Sequence, residues 1–284
     1  MSWHAVTVTP INEELSSDEF DAICSELIEN GACGTAIDQA PLITCYIEGD
    51  TQALDNFTAK IPTLGCRLIE TAEVLEENWT GACPDVWEPI KAGSIEVVPV
   101  QSPDDPRPTP PGAIKIIPGL GFGTGHHATT RMVLTELSNL IEANPLKKYS
   151  VLDLGTGSGI LAIAAAILLN TPIEAIDNDS LALENARDNV ALNNVKELVR
   201  LSTTPLDQLR GSYDLIVANV YGEVLTALAP EITRVAKPGA VAILSGITEI
   251  VWDSVWLTYD HHDWKLIKEY GEQDWMCAVI QRKP

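Results

Sequence analysis

The sequence lacks a long apolar run, a cluster of metal-ligand spacings and any excess of positive charge. Ile160 to Leu169, an Ala/Ile/Leu-rich segment, is about half the roughly 20 residues that a bilayer requires. The start, Met-Ser-Trp-His-Ala-Val, has no basic patch followed by an apolar core, so the expectation is a cytoplasmic, unsecreted protein that spans no membrane. The 6 cysteines (24, 33, 45, 66, 83 and 277) form no C-x-x-C pair and read as small buried residues in a reducing compartment. Neither they nor the adjacent pairs His126-His127 and His261-His262 have zinc-ligand spacing, so no metal is expected. Lysine and arginine number 18 against 40 acidic residues, a formal charge of −22. A field of that sign repels phosphate backbones, which argues against direct nucleic-acid binding and would draw in a lysine-rich protein. A merely solvated acidic surface accounts for the same charge.

What is present is organised around Ser150 to Asp179. Val151, Leu152 and Leu154 form a short apolar run that stops at Gly155-Thr-Gly157-Ser-Gly159. The apolar helix-length run follows at once, and a second run, Ile173 to Ile176, ends at Asp177. The pattern predicts a βαβ unit with its glycine turn at the carboxyl end of the first strand, where open α/β sheets bind ligands. Counted from Gly155, Ile160 stands where the dinucleotide fingerprint G-x-G-x-x-G has its third glycine. A branched side chain there disfavours a pyrophosphate seat, whereas a phosphate-free nucleoside needs only close approach of the glycine backbone. Asp177 is spaced to accept both ribose hydroxyls. A plain tight βα loop remains the alternative for the turn alone.

At 284 residues the chain can hold one large domain or two modest ones. Up to about Glu70 it reads as a small α+β unit: strands at Trp3–Val8, Gly34–Asp38, Leu42–Ile47 and Cys66–Glu70, with helices at Glu13–Asn30 and Thr51–Lys60. A strand at Ser94–Val100 and a proline-dense loop at 103–111 lead to a strand at Ala113–Ile117. Four alternating glycines, at 119, 121, 123 and 125, then run into an amphipathic helix whose first turn carries Thr129 and Thr130, readable as N-caps. Beyond the βαβ unit, helices at Leu181–Asn193, Val224–Val235 and Thr248–Tyr259 alternate with strands at Val199–Ser202, Tyr213–Asn219 and Ala240–Ser245, a turn at Lys237-Pro-Gly239 preceding the last. Asn219, ending its strand, faces the ligand crevice. Two late strands, Trp264–Tyr270 and Trp275–Arg282, have no helix between them.

Pro118-Gly-Leu-Gly-Phe-Gly-Thr-Gly-His-His-Ala-Thr-Thr130, joined to Val-Leu-Asp-Leu-Gly-Thr-Gly-Ser-Gly-Ile from Val151, resembles the PrmA family, methyltransferases of ribosomal protein L11. The likeness continues through Ala-Arg-Asp-Asn-Val-Ala-Leu-Asn193, Val-Ala-Asn219-Val and Leu-Ser-Gly-Ile247. It implies an α/β protein, a class I (seven-stranded, Rossmann-like) S-adenosylmethionine methyltransferase domain at 113–284. Ahead of it would come a ferredoxin-like substrate-recognition domain at 1–72 and a linker with the proline-rich loop at 73–112. It implies S-adenosylmethionine as cofactor, held by Thr130, Gly155, Gly157, Asp177 and Asn219, with Asn219 also orienting the amine. The substrate would be lysine, or an α-amino group, of L11, and the enzyme a monomer. Other readings are a methyltransferase of another protein's lysine or glutamine, a nicotinamide-dependent oxidoreductase, and a non-catalytic cofactor-binding protein. Val220 and Tyr221 replace the prolines of the glutamine type, and Ile160 counts against the nicotinamide one.

Overall fold

The computed structural model describes residues 3–12, 23–24, 26–27, 30–32, 34–39, 42–49, 51–74, 88–119, 123 and 125–284. Most of the expected helix Glu13–Asn30 lies outside them, as do Cys33, Cys83 and positions 120–122 and 124 of the glycine-rich segment. The chain divides into two compact units, Met1–Cys83 and Pro84–Pro284.

In the first unit β1 (Trp3–Pro10), β2 (Gly34–Gln39), β3 (Leu42–Glu48) and β4 (Cys66–Val74) form one sheet in the order β2-β3-β1-β4. Every neighbouring pair is antiparallel, the arrangement of a ferredoxin-like β-α-β-β-α-β chain. Alternation along the strands sends Val6 and Val8 of β1 and Ile43, Cys45 and Ile47 of β3 to one face. Phe57 of α1 (Thr51–Thr58) packs there with Ile61. Burial pushes the Cys45 thiol up to about 12, which leaves it an inert core residue.

The second unit opens with a small sheet, β5 (Ile90–Ala92), β6 (Ile95–Pro99) and β7 (Ile114–Ile116). Two of its strands lie within the stretch 73–112 that the sequence presents as linker. The strand β5 has no counterpart in the sequence pattern, because three residues are too few for a period to register. The main sheet has seven strands: β8 (Val151–Leu154), β9 (Ile173–Ile176), β10 (Val199–Ser202), β11 (Tyr213–Asn219), β12 (Ala236–Thr248), β13 (Trp264–Glu272) and β14 (Trp275–Arg282). Their order is β10-β9-β8-β11-β12-β14-β13, and only β14 runs against its neighbours. This is the class I methyltransferase arrangement, with the late pair Trp264–Glu272 and Trp275–Arg282 closing the sheet as a hairpin.

The central strands are mostly apolar because both faces are covered. Val151, Leu215, Val217 and Ile243 pack under α2 (Ala128–Ala143) and α3 (Ile160–Leu169), while Leu152, Ile216, Ala218 and Leu244 pack under α5 (Gly222–Val235) and α6 (Glu249–His261). Lys237-Pro-Gly239, expected as a turn before the strand, lies within β12 instead. Ala236 already pairs with Tyr213, and the following three residues are taken up by a register shift before Val241 pairs with Leu215. Between β9 and β10, α4 (Ser180–Leu192) and its C-cap residue Asn193 turn three asparagines toward β7 and the residue after it. Asn189 accepts the Ile117 N–H at 2.8 Å and donates to the Ile117 and Ser158 carbonyls. Asn193 makes the same pair of bonds to Lys115, at 2.8 and 2.6 Å, and Asn185 donates to the Ile117 carbonyl. These bonds fix the point from which the glycine-rich segment departs.

Candidate active site

The switch point of this sheet lies between β8 and β11, where strand order reverses, and a cleft opens at their carboxyl ends. One lobe, of about 620 Å³, is walled by Gly155, Gly157, Asp177, Asn219, His127 and Trp275, among others. A second lobe, of about 280 Å³, lies against Thr204, Pro205, Leu206 and Leu228. The two share Gly155, Asp177, Asn178, Val220 and Val224, so they form one continuous groove.

Its floor is the glycine turn. Gly155, Gly157 and Gly159 have φ of +71°, +53° and +84°. A Cβ on Gly155 would collide with Val220 across the groove. The Gly155 and Thr156 N–H groups both reach the Ile176 carbonyl, at 2.9 and 3.0 Å, which ties the turn to the end of β9. Asp177 completes the tie: its Oδ2 accepts the Gly157 N–H at 2.8 Å and its Oδ1 accepts the Asp179 N–H at 3.0 Å.

Of the five site residues that the resemblance implies, four line the groove and Thr130 does not. Thr130 is fully buried one layer back, where its Oγ1 accepts from Asn219 Nδ2 at 3.3 Å. That bond aims the other end of the amide: Asn219 Oδ1 is buried and has no hydrogen-bond partner among the described residues. The threonines are not N-caps of α2 either. His127 is the cap, its Nδ1 accepting the Thr129 N–H at 3.3 Å, with Thr129 Oγ1 at 2.7 Å. Burial, then the neighbouring Arg131, hold the His127 imidazole below its usual pKa, which favours the neutral ring. The Trp275 ring lies edge-on to it, with centroids 5.0 Å apart.

Sequence reasoning passes over Asp153, the single charged residue of β8. It is fully buried; its Oδ2 accepts from Thr156 Oγ1 at 2.6 Å and from the Ala162 N–H at 3.0 Å. It thereby satisfies an end of α3 whose cap residue, Gly159, has no side chain to offer. Burial pushes its carboxyl up to about 7, against those two bonds and with Asp177 adding a smaller push upward. A carboxyl group inside an otherwise apolar strand is the signal that could have found it. Gly246, too, stands out in the sequence only as part of the Leu-Ser-Gly-Ile motif. Its φ is +84°, and a Cβ there would lie 2.5 Å from the Val220 carbonyl oxygen. It is the backing on which the Val220 main chain rests, its carbonyl above all, and Val220 N–H donates to the Ser245 carbonyl at 3.2 Å.

The family described as ribosomal protein L11 methyltransferase (PrmA) matches residues 25–283. The ribosomal protein L11 methyltransferase of Geotalea daltonii is 36% identical over 223 residues, spanning 73% of this chain and 68% of that one. That of Trichlorobacter lovleyi is 35% identical over 251 residues, spanning 85% and 82%. A crystal structure of a ribosomal protein L11 methylase from Lactobacillus delbrueckii subsp. bulgaricus superposes with a TM-score of 0.61 at 28% identity, covering 70% of this chain and 100% of that one. With this groove on a class I sheet and matches over most of its length, the chain belongs to the ribosomal protein L11 methyltransferase (PrmA) family of S-adenosylmethionine-dependent enzymes.

Proposed function

We propose that this chain transfers methyl groups from S-adenosylmethionine to lysine nitrogens, and to an α-amino nitrogen, of ribosomal protein L11. The observation that carries the reading is the convergence, on one groove, of the Gly155 and Gly157 main chain with the buried Oδ1 of Asn219, which has no partner among the described residues. The residues fit the cofactor. Each Asp177 oxygen spends one lone pair on a backbone N–H and keeps another for a ribose hydroxyl. Gly155 lets main chain approach the methionine part, and Gly157 holds Asp177 in place. Thr130 acts at second hand, by fixing Asn219. The cofactor, when bound, supplies a methyl carbon that is already activated.

The protein's own task is then alignment more than acid–base chemistry. A lysine amine has an ordinary pKa of about 10.4 and must lose its proton to attack. Val220, Val224 and Trp275 form apolar walls that desolvate the incoming ammonium and favour its neutral form, the proton leaving to water. Asn219 Oδ1 accepts one N–H of the neutral amine and sets the direction of its lone pair. Residues 1–72 grip the substrate protein. The enzyme works as a monomer in the cytoplasm, on a protein substrate and without contacting nucleic acid directly. The test is transfer of labelled methyl to purified L11, with an unrelated lysine-rich protein as control and Asp177→Ala as the dead-site comparison. Labelling of L11 alone, lost in the variant, is expected. No labelling despite cofactor binding would overturn the substrate assignment.

A further inference from the structure

We infer that Ser158 and Ile160 are positioning residues: they seat Gly123 and Gly125 against the βαβ turn and so set the methyl-donor end of the groove. The inference rests on the cofactor reading above. Ser158 is fully buried, and its Oγ donates to the Gly123 carbonyl at 2.6 Å. Its own carbonyl accepts from Asn189 at 3.0 Å, so the residue is held from both sides. Ile160, 2% exposed, lies beneath two glycines of the segment. A Cβ on Gly123 would come 3.4 Å from its Cγ2, and one on Gly125 would come 3.3 Å from its Cδ1. Both glycines have positive φ, +106° and +95°, so the chain here follows a path that side chains disfavour.

The geometry gives a use to the residue that breaks the dinucleotide pattern. A third glycine lets helix and strand close up around a pyrophosphate. Here the branched side chain projects from the start of α3 toward Gly123 and Gly125 and, with Ile90, whose Cδ1 would lie 2.6 Å from a Cβ on Gly125, fixes the height at which these glycines cross. Two residues after Gly125 comes His127, which caps α2; then Thr129 lines the groove and Thr130 holds Asn219. The far lobe, against Thr204, Pro205 and Leu206, has no part in this chain of contacts.

The two ends can therefore be separated with two ligands. S-adenosylhomocysteine has both an amino-acid end and a nucleoside end, whereas 5′-methylthioadenosine lacks the amino-acid portion. Titration calorimetry of the full chain should show Ser158→Ala weakening S-adenosylhomocysteine about fivefold, the worth of one hydrogen bond, with methylthioadenosine unchanged. Ile160→Val, which removes only the methyl nearest Gly125, should give a smaller loss of the same pattern, and Ser158→Thr should recover most of the affinity. Equal weakening of both ligands would mean a general structural role and overturn the inference, as would unchanged affinity for both in Ser158→Ala and Ile160→Val. A wild-type chain that binds neither ligand would overturn the cofactor reading and this inference with it. Binding without methylation of L11 would overturn only the substrate.

Discussion

Gly246→Ala tests whether the position of the Val220 main chain, next to Asn219, governs turnover. The new Cβ would stand 2.5 Å from the Val220 carbonyl oxygen, 2.8 Å from its carbon and 3.0 Å from its nitrogen. Ordinary contact needs roughly 3.4 Å, so the peptide must retreat by about 0.9 Å. A misplacement of about 1 Å in a positioning element costs on the order of 100-fold in rate, and that is the expected fall in kcat. Alanine at φ +84° adds conformational strain of about 1–2 kcal/mol, or roughly 2–8 °C in Tm for a unit of this size. Gly239→Ala separates the two effects. Gly239 lies on the same strand at φ +76°, and an added methyl there would meet nothing within 4 Å. It should lose a similar amount of Tm and almost no activity. The assay is single-turnover methyl transfer at saturating cofactor alongside thermal denaturation of each variant. A Gly246→Ala enzyme whose kcat stays within about threefold of wild type would refute the idea that this glycine sets the reacting geometry.

Three further outcomes are expected. Asn219→Ala should lower kcat more than it weakens cofactor binding; full turnover with weaker binding alone would remove Asn219 from the amine's path. Thr130→Val should lower kcat by a smaller factor, and the double variant should be no worse than Asn219→Ala, since Thr130 reaches the groove only through that amide; additive losses in the double-mutant cycle would contradict this. Asp153 has a folded pKa raised to about 7, so the folded state holds a proton that the unfolded chain releases. Its contribution to stability is full below the unfolded value of about 4 and lost as pH rises through about 7. Asp153→Asn keeps an acceptor for Thr156 and Ala162, and urea unfolding should show wild type gaining stability over it as pH falls from 8 to 5. Parallel pH curves would mean that Asp153 is ionised in the fold at neutral pH.

The βαβ unit is legible because its signals are local: an apolar run, three glycines, a helix-length run and an acid at the next strand end all lie within thirty residues. Asn219 can be read for the same reason, as a polar residue terminating an apolar strand. The parts that escape are contacts between distant stretches. Nothing near Gly246 announces that Val220 will rest on it, and nothing near Ser158 announces the Gly123 carbonyl. The His127 cap is hidden by two threonines that suit the role better by type, and its own ring is governed by Arg131 and Trp275 around it. Thr130 carries over from the resemblance as a cofactor contact, and its Oγ1 accepts from Asn219 across 89 residues of chain, a bond that no local pattern announces.

The three asparagines of α4 match two repeats that ordinarily have nothing in common. Four residues of helix advance about 6.0 Å, and two residues of strand advance about 6.6 Å, so the amides at 193 and 189 keep step with the outward-facing groups of Lys115 and Ile117, and Asn185 shares the Ile117 carbonyl. Four residues also turn a helix by about 400°, so the row drifts sideways by about 40° at each step, and a much longer row would leave the strand. The helix thus stands in for a missing strand over just the length that the small sheet requires. It closes an edge that would otherwise offer a template for another chain to extend.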